Sequence, residues 1–202
     1  MDLFAAQPLA FRRAPDAKVV GAYVLNEKPA AILDGLQPGS VSHLLYAFVR
    51  ICGPGQLEKD APACQGRQAF QLASGPLETE FDAAFQRLKT RQPGVKVLAS
   101  VGGWGGSDPF FHLANEPARR AVFAASVVDF LRSHPGFDGV DIDWEHPGGN
   151  GAANGVQLGT PVDGQGYAEL MLDLRRALDG LGAETGRRYL LSTAVNTTQT
   201  LV

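Results

Sequence analysis

Five short runs of branched and aromatic residues, separated by glycine- or proline-marked breaks and by stretches of helical periodicity, leave this chain few folds. The runs are 18–25 (KVVGAYVL), 41–49 (VSHLLYAFV), 95–101 (VKVLASV), 137–144 (FDGVDIDW) and 189–195. Strands that are apolar nearly throughout suit a parallel sheet covered on both faces. Between them, Phe81, Phe85 and Leu88 recur at spacings of four and three and predict a helix over 77–91. Val122, Phe123, Val127, Phe130 and Leu131 predict another over 117–133, and Leu170, Leu174, Ala177 and Leu178 a third over about 166–181. Residues 29–36 read as one or two helical turns, and Pro38-Gly39, Pro93-Gly94 and Pro135-Gly136 mark the stops. Strand and helix in alternation predict an α/β fold of parallel strands joined by right-handed crossovers. The glycines from Gly102 onward do not form G-x-G-x-x-G and do not follow the first strand, which disfavours a dinucleotide fold. Reactive residues of such folds sit at the carboxyl ends of strands, which directs attention to 100–104 and 138–145.

Composition excludes several classes. The 202 residues are 45% hydrophobic and 19% charged, an ordinary globular balance. A net charge of −3 with scattered basic pairs gives no surface for nucleic acid. No apolar run approaches the roughly 20 residues of a membrane span. Residues 1–15 lack the basic start and continuous apolar stretch of a signal peptide, so the signal lies upstream of this sequence or the protein stays inside the cell. Residues 1–17 are expected as a tail and 18–202 as one domain. Cys52 and Cys64 flank a Gly/Pro-rich excursion spanning 52–76. They are two free thiols or a local disulfide; the second is favoured and would contribute about 3 kcal/mol by chain entropy. Two cysteines cannot complete a tetrahedral zinc site.

The most informative segment is Asp138-Gly139-Val140-Asp141-Ile142-Asp143-Trp144-Glu145. Strand side chains alternate, so Asp141, Asp143 and Glu145 share one face while Val140, Ile142 and Trp144 share the other. The apolar set faces the helices; the acids therefore face the inside of the sheet or barrel. Residues two apart on a strand lie about 7 Å apart, and like charge and burial both raise carboxylate pKa values. At least one of these acids is expected to hold a proton near neutral pH, which is a property of functional sites. Surface acids on an edge strand are the plain alternative. Magnesium binding is the other, and is disfavoured because all three acids come from one strand.

The D-x-x-D-x-D-x-E pattern formed by Asp138, Asp141, Asp143 and Glu145 resembles the signature of glycoside hydrolase family 18. Ser100-Val101-Gly102-Gly103-Trp104 resembles that family's S-x-G-G motif, and the first two strands, with Tyr23 and Phe48, are compatible with it. The resemblance runs from about Lys18 to Val195. It implies a (β/α)₈ TIM barrel, here incomplete with about five strands, no cofactor or metal, and retaining, substrate-assisted hydrolysis of chitin or chito-oligosaccharides. On this resemblance Glu145 is the general acid and then the base, and Asp143 steadies the substrate's acetamido group. Asp141 shares a proton with Asp143, and Asp138 is structural. Trp104, Tyr23 and Gly103 are the substrate-side candidates, with Trp104 either a sugar-stacking platform or a cover for the barrel end. Gly102 and Gly103 let the backbone approach the acidic strand, and Ser100 hydrogen-bonds Asp141 or is plain core.

His146 stands where the family commonly has Tyr; it is expected as a solvated loop residue, with an effect on pH dependence only if it lies near Glu145. The later family strands, with their Tyr-Asp pair and floor Trp, are missing, so a fragment of weak activity that self-associates through exposed barrel edges is expected. The resemblance also implies a secreted protein. An endo-β-N-acetylglucosaminidase of glycoprotein glycans and a noncatalytic, lectin-like chitin binder are the alternatives.

Overall fold

A computed structural model describes residues 18–195, and the tail expected over 1–17 lies outside the described residues. In chain order the elements are β1 (Gly21–Leu25), a 3₁₀ turn (Ala30–Gly35), β2 (His43–Val49), a second 3₁₀ segment (Glu58–Cys64), α1 (Pro76–Arg91), β3 (Lys96–Gly102), α2 (Asp108–Leu113), α3 (Pro117–Ser133), β4 (Gly139–Asp143), α4 (Asp163–Thr185) and β5 (Leu190–Thr193). The five strands form one sheet in the order β1-β2-β3-β4-β5, every neighbouring pair parallel. Strands added always on the same side are the wall of a barrel. A doubly wound sheet reverses its order at a switch point, and this one does not. The described residues thus form five strand units of the (β/α)₈ architecture.

Strand parity sorts the side chains as the alternation requires. Leu44, Tyr46, Val97, Ala99, Val101, Val140 and Ile142 point outward into a core shared with the helices, all 1% exposed or less. Phe81, Phe85 and Leu88 of α1 and Phe123, Val127 and Phe130 of α3 meet them there. Tyr46 is the hub of an aromatic cluster, with ring centroids 4.8 Å from Phe81 and 5.7 Å from Phe137. Its hydroxyl donates to Glu78 at 3.1 Å, which satisfies a buried polar end. The opposite parity lines the inner face.

Two features depart from the sequence expectation. The short helix α2 was not anticipated: six residues are too few to show a period. It forms because Phe110 and Leu113 bury completely and Phe110 stacks on Trp144, centroids 5.6 Å apart. Helix α4 runs longer at both ends than the apolar repeat. At its start, buried Asp163 accepts hydrogen bonds from the Thr160 backbone N–H (2.8 Å) and hydroxyl (2.5 Å). Its last turn ends at Gly186, whose φ of 68° is left-handed and readily adopted by glycine.

Asp138 ties the start of β4 to its neighbours. It accepts from the Val97 backbone N–H at 2.8 Å, lies 2.7 Å from the Lys89 ammonium and 3.4 Å from the Arg187 guanidinium. Burial lowers the Lys89 pKa, with Asp138 opposing that effect. Asp138→Ala strands a half-buried ammonium and a strand N–H together. It is expected to cost about 3 kcal/mol of unfolding free energy in a urea titration, with Asp138→Asn costing less because it keeps an acceptor for Val97.

Candidate active site

The parallel register decides which side chains meet. It places Ala47, Ser100, Asp141 and Ser192 in one row across β2 to β5. All have the inner parity, so Ser100 and Ser192 flank Asp141 on either side. Their hydroxyls donate to its two carboxylate oxygens, Ser100 at 2.8 Å and Ser192 at 2.7 Å. Asp141 is only 2% exposed, and a buried carboxylate is tolerable because both oxygens have donors.

One step toward the carboxyl end, Asp143 lies in the next row, opposite Gly102. It is 5% exposed, and its pKa is pushed up to about 7, first by burial, then by the charges of Glu145 and Asp141, and by a hydrogen bond with Glu145. That bond favours the protonated form, so neutral Asp143 donates to Glu145. The Ser100–Asp141 bond is among those expected, Ser192 adds a second donor to Asp141, and the partner of Asp143 is Glu145 rather than the expected Asp141. Two fixed O–H donors already occupy Asp141, which leaves the freer Glu145 as the partner within reach.

Glu145 lies just beyond β4 at the mouth of the sheet, its backbone N–H donating to the Ser107 hydroxyl at 3.2 Å. Asp143 and Glu145 line a cavity of about 340 Å³ with Tyr23, Leu25, Phe48, His146, Ala194 and Val195. A larger apolar cavity of about 850 Å³ continues along the inner face past Asp141; Tyr23 borders both. The Tyr23 pKa is pushed up to about 12, by partial burial and then by the charges of Asp141, Asp143 and Glu145. The phenol thus stays protonated and available as a donor beside the acids.

Gly102 and Gly103 carry left-handed φ values of 110° and 81°. A side chain on Gly102 would collide with the Asp143 carbonyl, and one on Gly103 would meet the Phe48 ring at 2.7 Å. Glycine here brings β3 against β4, and the Gly103 N–H donates to the Asp143 carbonyl at 2.9 Å. Trp104 is 60% exposed and lies outside both cavity linings.

Ser192 and Tyr167 escaped sequence reasoning, and His146 takes the less favoured of its two readings. His146 is not a solvated loop residue: its Nε2 is 3.8 Å from the Glu145 carboxylate, and both side chains are about three-quarters covered. Ser192 was hidden because its partner across the sheet is known only from register, although it shares the parity of Leu190 in β5. Tyr167, from α4, hydrogen-bonds the Thr193 hydroxyl, and its pKa is raised by burial and then by Asp141 and Asp143. Cys52 and Cys64 are joined in a disulfide with Cα atoms 5.5 Å apart.

This arrangement of a serine-clamped aspartate, a second aspartate that keeps its proton, and a glutamate at the mouth can be set beside known proteins. The family model for glycosyl hydrolases family 18 matches residues 19–200. The chain belongs to glycosyl hydrolase family 18. Chitinase A of Pseudoalteromonas piscicida is 39% identical over 184 residues, covering 77% of this chain and 22% of that protein. The chitinase of Autographa californica nuclear polyhedrosis virus is 37% identical over 187 residues, covering 78% and 33%. Among solved structures, chitinase ChiA74 from Bacillus thuringiensis superposes with a TM-score of 0.74 at 28% identity, covering 92% of this chain and 36% of that one. This family-18 chain thus spans about a fifth to a third of the length of the curated relatives it matches. Among the described residues, no helix is long and apolar enough to cross a membrane.

Asp143 binds its proton more tightly when folded than when unfolded. The stability linked to it is therefore full below pH 4, the ordinary carboxylate range, and is lost as pH rises through about 7. Asp143→Asn removes that loss. The variant is expected to melt higher than the parent at pH 8, with a smaller advantage at pH 5, by calorimetry at the two pH values.

Proposed function

We propose that this chain carries the acidic site of a retaining chitinase, which cleaves β-1,4-linked N-acetylglucosamine polymers with help from the substrate itself. The observation that supports this best is the graded environment of three carboxyl groups on one strand. Asp141 is held by two hydroxyls, Asp143 keeps a proton to about neutral pH, and Glu145 stands at the cavity mouth. Acids whose surroundings push their protons apart divide naturally into different roles.

In the proposed reaction the substrate's acetamido oxygen attacks the anomeric carbon while the glycosidic bond breaks. Asp143 passes the proton of its hydrogen bond to Glu145, which gives it to the departing oxygen, and Asp143 is left charged. The product on the enzyme is a cyclic oxazolinium ion. Asp143 turns from Glu145 to the acetamido N–H, and its negative charge steadies the cation as it forms. Water then adds to the anomeric carbon, its proton returns to Glu145, and the acetamido group is restored. Attack from within the sugar and then by water inverts the centre twice, so configuration is retained. Asp141, locked by Ser100 and Ser192, acts on Asp143 through charge alone. Tyr23 supplies a hydroxyl donor at the cavity wall, and Trp104 offers an exposed ring on which a pyranose face can stack.

The Cys52–Cys64 disulfide is at home in an oxidising compartment and supports secretion as the destination. A purely lectin-like role has no use for a carboxylic acid placed as Glu145 is. Glu145→Gln is expected to lower kcat on chito-oligosaccharides by about 10²–10⁴-fold with affinity retained. Turnover that survives the change would dismiss the assignment, and products formed from chitin but not from glycoprotein glycans would set aside the endo-glucosaminidase reading.

A further inference from the structure

The glycine turn that carries Trp104 is built around a side chain from another strand. Arg50, the residue after β2, reaches under the turn, and its Nη1 donates to the Gly102 carbonyl. At the far end of the turn, a side chain on Gly106 would collide with that same nitrogen and lie 2.9 Å from the guanidinium carbon. Gly106 has no left-handed φ to explain it; a side chain there would meet both the guanidinium and, at 2.5 Å, the Gly102 carbonyl oxygen that the guanidinium holds. The Gly106 N–H donates to the Gly103 carbonyl at 2.9 Å and closes the turn over the peg.

The peg is itself held. The guanidinium lies 5.3 Å from the centre of the Phe48 ring, the ring that also supports Gly103 and lines the acidic cavity. Its Nε is 3.7 Å from Asp60, with side-chain exposures of 21% and 13%. Asp60 belongs to the 3₁₀ segment Glu58–Cys64, whose last residue is cross-linked to Cys52. From the other side, Asn154 donates to the Gly105 carbonyl at 2.7 Å, and Gly151 lies against the indole of Trp104.

We propose that Arg50 is a positioning residue for sugar binding: its guanidinium fills the inside of the 102–106 turn and sets the attitude of the exposed Trp104 ring. This rests on the reading of Trp104 as a stacking platform. A turn with glycine at four of five positions has wide conformational freedom. An aromatic platform on such a turn would be ordered at the ligand's expense, and a planar fork bonded to the turn removes that cost before the sugar arrives. Lysine can match the charge but not the planar, multi-donor fill.

Trp104 and Trp144 are the two tryptophans, and Trp144 is 1% exposed, so acrylamide quenching and the fast anisotropy decay report on Trp104. In the unliganded full chain, Arg50→Met is expected to increase the amplitude of fast depolarisation while circular dichroism stays unchanged. Arg50→Lys should restore part of the order. Affinity for the N-acetylglucosamine tetramer should fall about tenfold in Arg50→Met, yet fall no further when the same change is made in a Trp104→Ala background. Unchanged depolarisation, or an equal affinity loss in both backgrounds, overturns the proposal. If Trp104→Ala alone binds the tetramer like the parent, the stacking reading fails, and the anisotropy still decides the role of Arg50. Should Arg50→Met not fold, Asp60→Asn, which frees the guanidinium without removing it, is expected to loosen Trp104 in the same direction; no loosening there overturns the proposal equally.

Discussion

Two serine hydroxyls on one buried aspartate hold the site together. Asp141 sits on the inner face of the sheet at 2% exposure, and only the donors from β3 and β5 make its charge tolerable there. Those donors reach it because the parallel register sets Ser100, Asp141 and Ser192 side by side. A slip of one residue in either pairing would turn the serines outward and leave the carboxylate without partners. Once Asp141 is secured, its charge adds to burial and to Glu145 in keeping a proton on Asp143. The chemistry at the mouth of the sheet thus depends on a polar contact deeper inside it.

The two ends of the sheet divide the work. At the amino end, Asp138 spends its charge on Lys89, Arg187 and a strand N–H, which is a structural use of a carboxylate. At the carboxyl end no lysine or arginine pairs with the acids among the described residues; Glu145 has the His146 ring 3.8 Å away, and the acids face cavities instead. Four acids in eight residues therefore act in opposite senses, according to which end of β4 carries them and which way each side chain points.

The loop after β4 is ordered without much apolar burial. Asn150, 1% exposed, donates to Asp108 at 2.9 Å and to the Val156 carbonyl at 3.0 Å, and accepts from the Ala152 and Leu158 N–H groups. Asp163, fully buried, accepts from Asn115, Gly148 and Thr160. Asn150 ties the glycine-rich segment to the start of α2, and Asn154, donating to the Gly105 carbonyl, ties it to the Trp104 turn. A closed set of hydrogen bonds does here what a hydrophobic core does elsewhere.

Periodicity is a local property, and what depends on it was legible in the sequence. The alternation of strand and helix, the outward set Val140, Ile142 and Trp144, the inward acids and the span of α3 all follow from spacings along one stretch of chain. The short helix α2 lacked a period to read, and the loop residues after β4 lacked any. Pairings between strands were beyond reach for a different reason. That Ser192 meets Asp141, that Asp143 turns to Glu145, that His146 lies beside the glutamate and that Arg50 fills the Trp104 turn are set by register and by packing of segments distant in the chain. Spacing along the chain is enough to say which faces must be buried and which residues can carry charge to the end of a strand. Which side chains become neighbours is settled by the folded arrangement, because hydrogen bonds and burial act through space and carry no mark on the residues that will share them.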